Sequence, residues 1–563
     1  MRFVFVSCLL LLSPIASLCQ TPPPSAADSN PPKELVTVSG TVLRLDTGEP
    51  LKKADVKLQS RSGSRKAVYD VTDALGHFTL GSVPPGSYIL IVSRNGYVDA
   101  EFGQQRPGGP GAVLTLSAGQ RLTDLVFKLI HTCAISGHVY DEDGFPVRGA
   151  DISIFRASAR EGKALPVGGA PISTNDLGEF RIFDLHPGRY YVSVFYHPEV
   201  GDHFFPFSPV RDTKEGYLPA YFPNTTDAAR ALPIMIHAGD EIRDIDFFLQ
   251  PALMVKVTGK VISAVPNTSG VDANVEIYPR DSGLAQSTIH LDAIPDRKDG
   301  TFQIRNVPPG TYSVFSSIHD SESRGWLWTK REIEVGNIDV DGVVLIITQG
   351  IDLFGRVSWE GSAPRGISDL YVWLEPVDEP DRPLPSQPVR ANGSFTFKNV
   401  PEGTYRPFVS SPEQGAAGFL KSAKYGSLSV PDAGFTLRGR PEGLLELVMS
   451  SHCAQVSGLV LTGDSLPAVG VQVVLVPDPP RRNQHRVFKV VTTDQNGRFI
   501  ISGIEPSDYK LFSWESVEDQ DWFDQDWLRP YESKGESVHL EEGDLKSVGL
   551  TLIETPKANA GLP

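Results

Sequence analysis

Polar and apolar residues alternate in short runs along the chain from about residue 35 to residue 555, with turn residues between the runs. Phe78 and Leu80 share one face of such a run, and Tyr88 and Leu90 share one face of the next. A period of two belongs to half-buried β-strands, because successive side chains of a strand point to opposite faces. The pattern therefore predicts strands whose apolar faces meet in a sandwich core, with Phe and Tyr marking that core.

The runs recur in phase. A phrase made of a turn ending in Gly, a Phe strand, a Pro/Gly turn and a Tyr strand occurs five times: Asp73–Tyr88, Asp176–Tyr190, Lys298–Tyr312, Ala391–Tyr405 and Asp494–Tyr509. Upstream of each lies a strand with Gly at its centre, at Gly40, Gly137, Gly259, Gly355 and Gly458. From that Gly to the Tyr is 48, 53, 53, 50 and 51 residues, a constancy that marks one repeated unit.

A second strand reads Ala54–Leu58, with counterparts at Ala150–Ile154, Ala273–Ile277 and Val469–Val473, and a closing apolar strand follows a Gly turn in each copy. In the fourth copy the closing strand is assigned to Leu444–Val448. Short strands parted by turn residues predict an all-β chain of five tandem β-sandwiches. In Val83-Pro84-Pro85-Gly86 the fixed φ of Pro and the positive φ open to Gly suit a type II turn between the Phe and Tyr strands. The fifth copy has Ser507-Asp508 at this place and no Gly, so its turn is expected to differ.

The run of Gly strand, Ala-x-Val strand, Asp-x-x-Gly-x-Phe and Val-Pro-Pro-Gly-x-Tyr resembles the bacterial carboxypeptidase regulatory-like domain family, which is related to prealbumin-like and starch-binding-like sandwiches. The resemblance covers residues 35 to about 555. It is strongest in copies one to three and in the fifth rests on Asp494–Phe499 and the stretch around Trp514–Glu532. It implies seven-stranded prealbumin-like or Ig-like modules accessory to other activities, in a carbohydrate-binding-like fold. The expected division is 35–131, 132–252, 253–348, 349–450 and 451–555, with a tail at 556–563.

Ahead of the array, Arg2, the apolar run Phe3–Leu12 and the small residues Ala16 and Ser17 read as a secretory signal peptide over 1–19, cleaved after Cys19. Lipid anchoring at Cys19 is the rival, disfavoured by Leu18 where a lipobox needs a small residue. Residues 20–34, with five prolines among small polar residues, read as an extended linker. The expectation is a secreted, periplasmic or cell-surface protein without a membrane span. Only Cys133 and Cys453 remain after cleavage, too few for a disulfide framework. The formal charge of −16 argues against nucleic acid and anionic membranes as partners, since both need a basic face.

The chemistry is sparse. His319 and Glu322 have the spacing of a metallocarboxypeptidase ligand pair, but the flanking Pro and Gly are missing and no third ligand is phased to them, so no metal is assigned. Asp141-Glu142-Asp143-Gly144 resembles the start of a calcium loop and reads better as an interstrand turn. No catalytic residue and no cofactor is expected.

Two stretches exceed what a sandwich needs. The second copy inserts Tyr196–Phe222, including His197, His203, Phe204, Phe205, Phe207, Tyr217, Tyr221 and Phe222; the fifth carries Trp514, Trp522, Phe523, Trp527 and Tyr531 among carboxylates. Aromatic rings beside carboxylates in loops stack on sugars, or else pack the loops onto the sheet. Trp514, Trp522, Phe523, Trp527, Tyr531, Tyr221 and Phe222 are the candidate ligand-binding residues. The preferred function is non-catalytic extracytoplasmic binding of a glycan or protein. Its rivals are a structural spacer, which inward-folded aromatic loops would favour, and a peptidase or glycosidase.

Overall fold

The computed structural model describes residues 35–554 apart from 62–65, 159–162, 168–170, 197–214, 266–272, 281–282, 290, 321–324, 362–368, 378–383, 412–417, 442, 479–480, 516 and 518–520. The signal-peptide and linker readings, the 556–563 tail, and Glu322 lie outside the described residues. So do His197, His203, Phe204, Phe205 and Phe207 of the second copy's insertion.

The architecture is all-β. In the first copy the strands are β1 (Val36–Arg44), β2 (Asp55–Ser60), β3 (Val68–Val71), β4 (His77–Val83), β5 (Gly86–Ser93), β6 (Ala100–Glu101), β7 (Leu114–Leu116) and β8 (Arg121–Leu129). They make two sheets, β4-β1-β8 and β3-β2-β5-β6, with β7 also pairing with β5. The Gly strand β1 is central: it runs antiparallel to the Phe strand β4 and parallel to the closing strand β8. The same three-strand arrangement recurs around Val255–Ser263, Ile351–Glu360 and Ala454–Leu461. Around Cys133–Tyr140 the closing strand is split into two short pieces.

Alternation along β1, β4 and β5 buries Val36, Val38, Val42, Phe78, Leu80, Tyr88, Leu90 and Val92 between the two sheets. Comparable clusters fill the space between sheets in the later copies, centred on Phe180 and Tyr190, Phe302 and Tyr312, Phe395 and Tyr405, and Phe499 and Tyr509. Burial of apolar side chains at about 25 cal/mol per Å² is what holds such sandwiches together. Cys133 and Cys453 are free thiols, so no covalent staple adds to it. In the fourth copy the second strand is Tyr371–Pro376, which sequence reading left unassigned.

The turn between Phe and Tyr strands differs from expectation. β4 and β5 belong to different sheets, so the chain crosses from one layer to the other and does not form a hairpin. Pro85, whose φ is fixed and negative, occupies the position where a type II turn needs a positive φ. Gly86 is nearly extended at φ 159°. The left-handed residue comes earlier, at Ser82, Asp184, Asn306 and Asn399 in four copies, and the fifth supplies Gly503 there at φ 69°. At the later position Gly310 and Gly403 are not left-handed and Gly86 is nearly extended, so a non-glycine residue, Ser507, is accommodated there in the fifth copy.

The Tyr of every phrase closes this crossover. Its hydroxyl donates to the carbonyl oxygen four residues earlier: Tyr88 to Pro84 (2.7 Å), Tyr190 to His186 (2.7 Å), Tyr312 to Pro308 (2.9 Å), Tyr405 to Pro401 (2.8 Å) and Tyr509 to Glu505 (3.0 Å). Burial pushes the phenols of Tyr190, Tyr312, Tyr405 and Tyr509 above their ordinary value near 10. A raised acid favours the folded state only while the unfolded phenol stays protonated. This stabilisation is thus complete below about pH 10 and is lost as pH rises beyond it. Phenolate absorbance and circular dichroism followed through an alkaline titration are expected to change together. Ionisation of these phenols before any loss of structure would contradict the assignment.

Candidate functional site

The aromatic stretch of the fifth copy forms a second core on the outer face of a sheet. Strand Ser507–Trp514 sends Tyr509 and Leu511 into the sandwich and turns Phe512 and Trp514 outward, where the two rings stack at 5.1 Å and 7°. Three short helical turns, Asp521–Phe523, Gln525–Leu528 and Arg529–Lys534, fold over them. Trp527 lies 5.3 Å and Tyr531 5.9 Å from Trp514, and Phe523 packs on Phe488 at 4.7 Å. Trp514 is 1% exposed and Trp522 5%, whereas Phe523, Trp527 and Tyr531 are half-buried.

The cover is pinned by charge and by a cap. Glu532 pairs with Arg482 and with Lys510 (2.8 Å), and Arg482 foremost holds its carboxyl below the usual range. The Asp524 carboxylate accepts from the backbone N–H of Asp526 at 2.8 Å, as helix-capping residues do. Among the described residues the indole N–H groups of Trp514 and Trp522 are buried and meet no acceptor. The rings of this stretch therefore spend most of their area on the sheet and on each other.

In the second copy Tyr221 is 1% exposed and Phe222 half-buried, beside strand Gly188–Phe195. Burial pushes the Tyr221 phenol up to about 12, offset by a hydrogen bond with Thr288 of the third copy. Thr288 also donates to the Ser193 hydroxyl at 3.0 Å. Tyr217 and Tyr196 meet edge to face at 6.0 Å.

The remaining chemical candidates resolve into structure. His319 packs edge-on against Trp326 at 5.2 Å. Among the described residues no group of three His, Cys, Asp or Glu side chains is placed to hold a metal. Asp141 accepts from the backbone N–H of Asp143 (3.0 Å) and Phe145 (2.8 Å), with Gly144 at φ 82°, in a turn between strands.

Sequence reading missed how the copies touch. Asp99 of the first copy lies beside His186 of the second, and burial pushes its carboxyl up. The strand Gly325–Val335 of the third copy lies against Ser394–Val400 of the fourth. Arg486 of the fifth copy sits 3.5 Å over the ring of Phe408 in the fourth, itself stacked on Trp373 at 5.7 Å, and pairs with Glu375 at 3.4 Å. The fifth copy also reaches the first. The Gln495 side-chain amide donates to the Thr115 carbonyl (2.9 Å) and accepts from the Thr115 N–H (3.1 Å), and Gln105 donates to the Val469 carbonyl (2.6 Å). Single polar residues in turns leave no periodic trace, so these contacts had no signal in the sequence.

Fold and surfaces define an array of β-sandwich units with aromatic outer faces under cover. Residues 37–129 match the carboxypeptidase regulatory-like domain.

Wider likeness runs along the array. The chain is 22% identical over 536 residues to BOS complex subunit NOMO2 of Homo sapiens, covering 91% of this chain and 36% of that protein. It is 22% identical over 540 residues to BOS complex subunit NOMO1 of Mus musculus, covering 91% and 37%. The chain thus spans little more than a third of the length of these curated relatives. Among solved structures it is similar to a streptococcal ancillary pilin (14% identity, TM-score 0.18, 56% of this chain and 98% of that one). It is also similar to BcpA, the major pilin subunit of Bacillus cereus (11% identity, TM-score 0.14, 76% and 100%). No helix among the described residues is long and apolar enough to cross a membrane.

Proposed function

We propose that this chain is a non-catalytic extracytoplasmic scaffold of five sandwich modules, divided as the repeat divides it, that binds protein partners across surfaces made by several modules together. The observation that carries this reading is the docking between units. Arg486 on Phe408, Thr288 on Ser193 and Gln495 on Thr115 join different copies through specific side chains, where independent modules on a string would need none. The likeness over 91% of the chain to proteins named as subunits of a complex supports partners that engage the array as a whole. The inward packing of Trp514, Trp522 and Tyr221 withdraws those rings from sugar stacking and supports a structural part for them within the array.

The test is made in the cells that produce the protein. After gentle crosslinking, the chain is expected in the extracytoplasmic fraction, in a stoichiometric complex well above its own 61.3 kDa that re-forms from purified components. A chain that migrates alone in native extracts, or that stays in the cytoplasm, would overturn the proposal.

A further inference from the structure

At one place in every unit, residues flanking the central Gly and residues flanking its paired Phe lie on the outer face of the Gly-strand sheet, and in the third and fourth units they line a trough. In the first unit these are Ser39, Thr41, His77 and Thr79; in the third, Thr258, Lys260, Thr301 and Gln303. In the second, His138 and Arg181 are answered by Asp246 and Glu241 at 3.2 and 3.1 Å. The fifth presents Ser457, Leu459, Arg498 and Ile500. The fourth departs from all of these with Phe354, Arg356, Ser394 and Thr396.

Around this fourth set lies a cavity of about 760 Å³, also lined by Gln387, Arg390, Asn392, Lys398 and Leu444. Its volume falls in the range of about 300–1,000 Å³ typical of small-ligand sites. Among the described residues three cations face it and no carboxylate lines it, in a chain of net charge −16. Lys398 pairs with Asp352 behind the rim, and Arg390 donates to the Ser394 hydroxyl at 3.4 Å. Arg356 has no carboxylate within salt-bridge distance among the described residues, although Glu446 is its register partner on the parallel strand. Phe354 leaves 47% of its surface and Leu444 50% in water, and the Lys398 ammonium lies 5.8 Å from the centre of the Phe354 ring.

We propose that this trough of the fourth unit binds a carboxylated saccharide. The Phe354 ring offers a flat apolar face to the C–H side of a sugar. Gln387, Asn392, Ser394 and Thr396 offer hydroxyl partners. Arg356 and Arg390 carry planar guanidinium forks suited to a carboxylate. The proposal goes beyond the scaffold reading and does not depend on it.

The experiment is calorimetric titration of the full chain with an oligosaccharide of hexuronate residues. The matching neutral oligosaccharide and an acidic peptide of equal charge serve as comparisons. Saturable binding of the uronate alone is expected, weakened tenfold or more in Arg356→Gln and in Phe354→Ala. Lys260→Gln in the third unit's trough should leave it unchanged. Circular dichroism would establish that each surface variant is folded. Absence of uronate binding overturns the proposal, as does binding that Arg356→Gln and Phe354→Ala leave intact. Equal binding of the neutral sugar removes the carboxylate from it, and equal binding of the peptide removes the saccharide; either sinks it. None of these outcomes bears on the protein complex, which the crosslinking experiment tests separately.

Discussion

Gly259→Ala is expected to unfold the third unit under conditions where the rest of the chain stays folded. A Cβ built on Gly259 would stand 2.1 Å from the Val343 carbonyl oxygen and 2.6 Å from Cζ of Phe302. The carbonyl belongs to the parallel closing strand, which crosses the Gly strand at a register shift between Val257 and Gly259. The ring belongs to the core. Neither can retreat without opening the sheet or the sandwich, so the cost should exceed the about 1–3 kcal/mol usual for overpacking. The same obstruction stands at Gly40 (Leu125 oxygen, 2.3 Å), Gly137 (Ile245 oxygen, 2.0 Å), Gly355 (Phe395 Cζ, 2.0 Å) and Gly458 (Val548 oxygen, 2.0 Å). Nothing lies within 4 Å of a Cβ at Gly81, so Gly81→Ala serves as the neutral control. Limited proteolysis with mass-spectrometric mapping should place new cleavages between residues 253 and 348 in the Gly259 variant only. A variant that melts and digests like the parent chain would show that the close approach is not what the glycine is for.

Trp522→Ala should strip the cover from the outer core of the fifth unit while leaving its sandwich folded. Trp522 packs with Phe488, Phe512, Trp514, Val517 and Leu528, none of which shares the cluster of Val456, Phe499 and Tyr509 between the sheets. Removing a buried Trp side chain costs about 3–5 kcal/mol. Three helical turns of three to six residues have little stability of their own to set against that loss. Hydrogen exchange is expected to quicken across 521–534 and near-UV dichroism to fall, with strand 507–514 still protected in its sheet. Unchanged exchange over 521–534 would mean that the ring sits there for a ligand and not for the fold.

The strands and the core were legible because both are periodic. Phe78, Tyr88 and their counterparts declared the buried face through alternation and fixed spacing, and the match over residues 37–129 agrees with the family resemblance read from the same residues. The route between the Phe and Tyr strands was not legible. A Pro-Pro-Gly triplet looks alike whether the chain returns in one sheet or steps to the other, and the left-handed residue falls on Ser82, Asp184, Asn306 or Asn399, types that sit equally well in ordinary strands' ends. The trough of the fourth unit was hidden for another reason. Phe354 and Arg356 flank Gly355 in sequence, but Arg390, Lys398 and Leu444 join them only through pairing with strands some forty and ninety residues away. Among the aromatic candidates, composition showed an excess of rings, whereas their partners, Phe512 in the strand and Phe488 just ahead of one, had no mark distinguishing them from other apolar residues.

The bond between Gln495 and Thr115 bears on how far the protein extends. When the first unit touches the last, adding units between them adds bulk and surface without adding span. The chain enters the array at Val36 and leaves it after Leu545–Thr551 from neighbouring units, so that anything held at one end stays near anything held at the other.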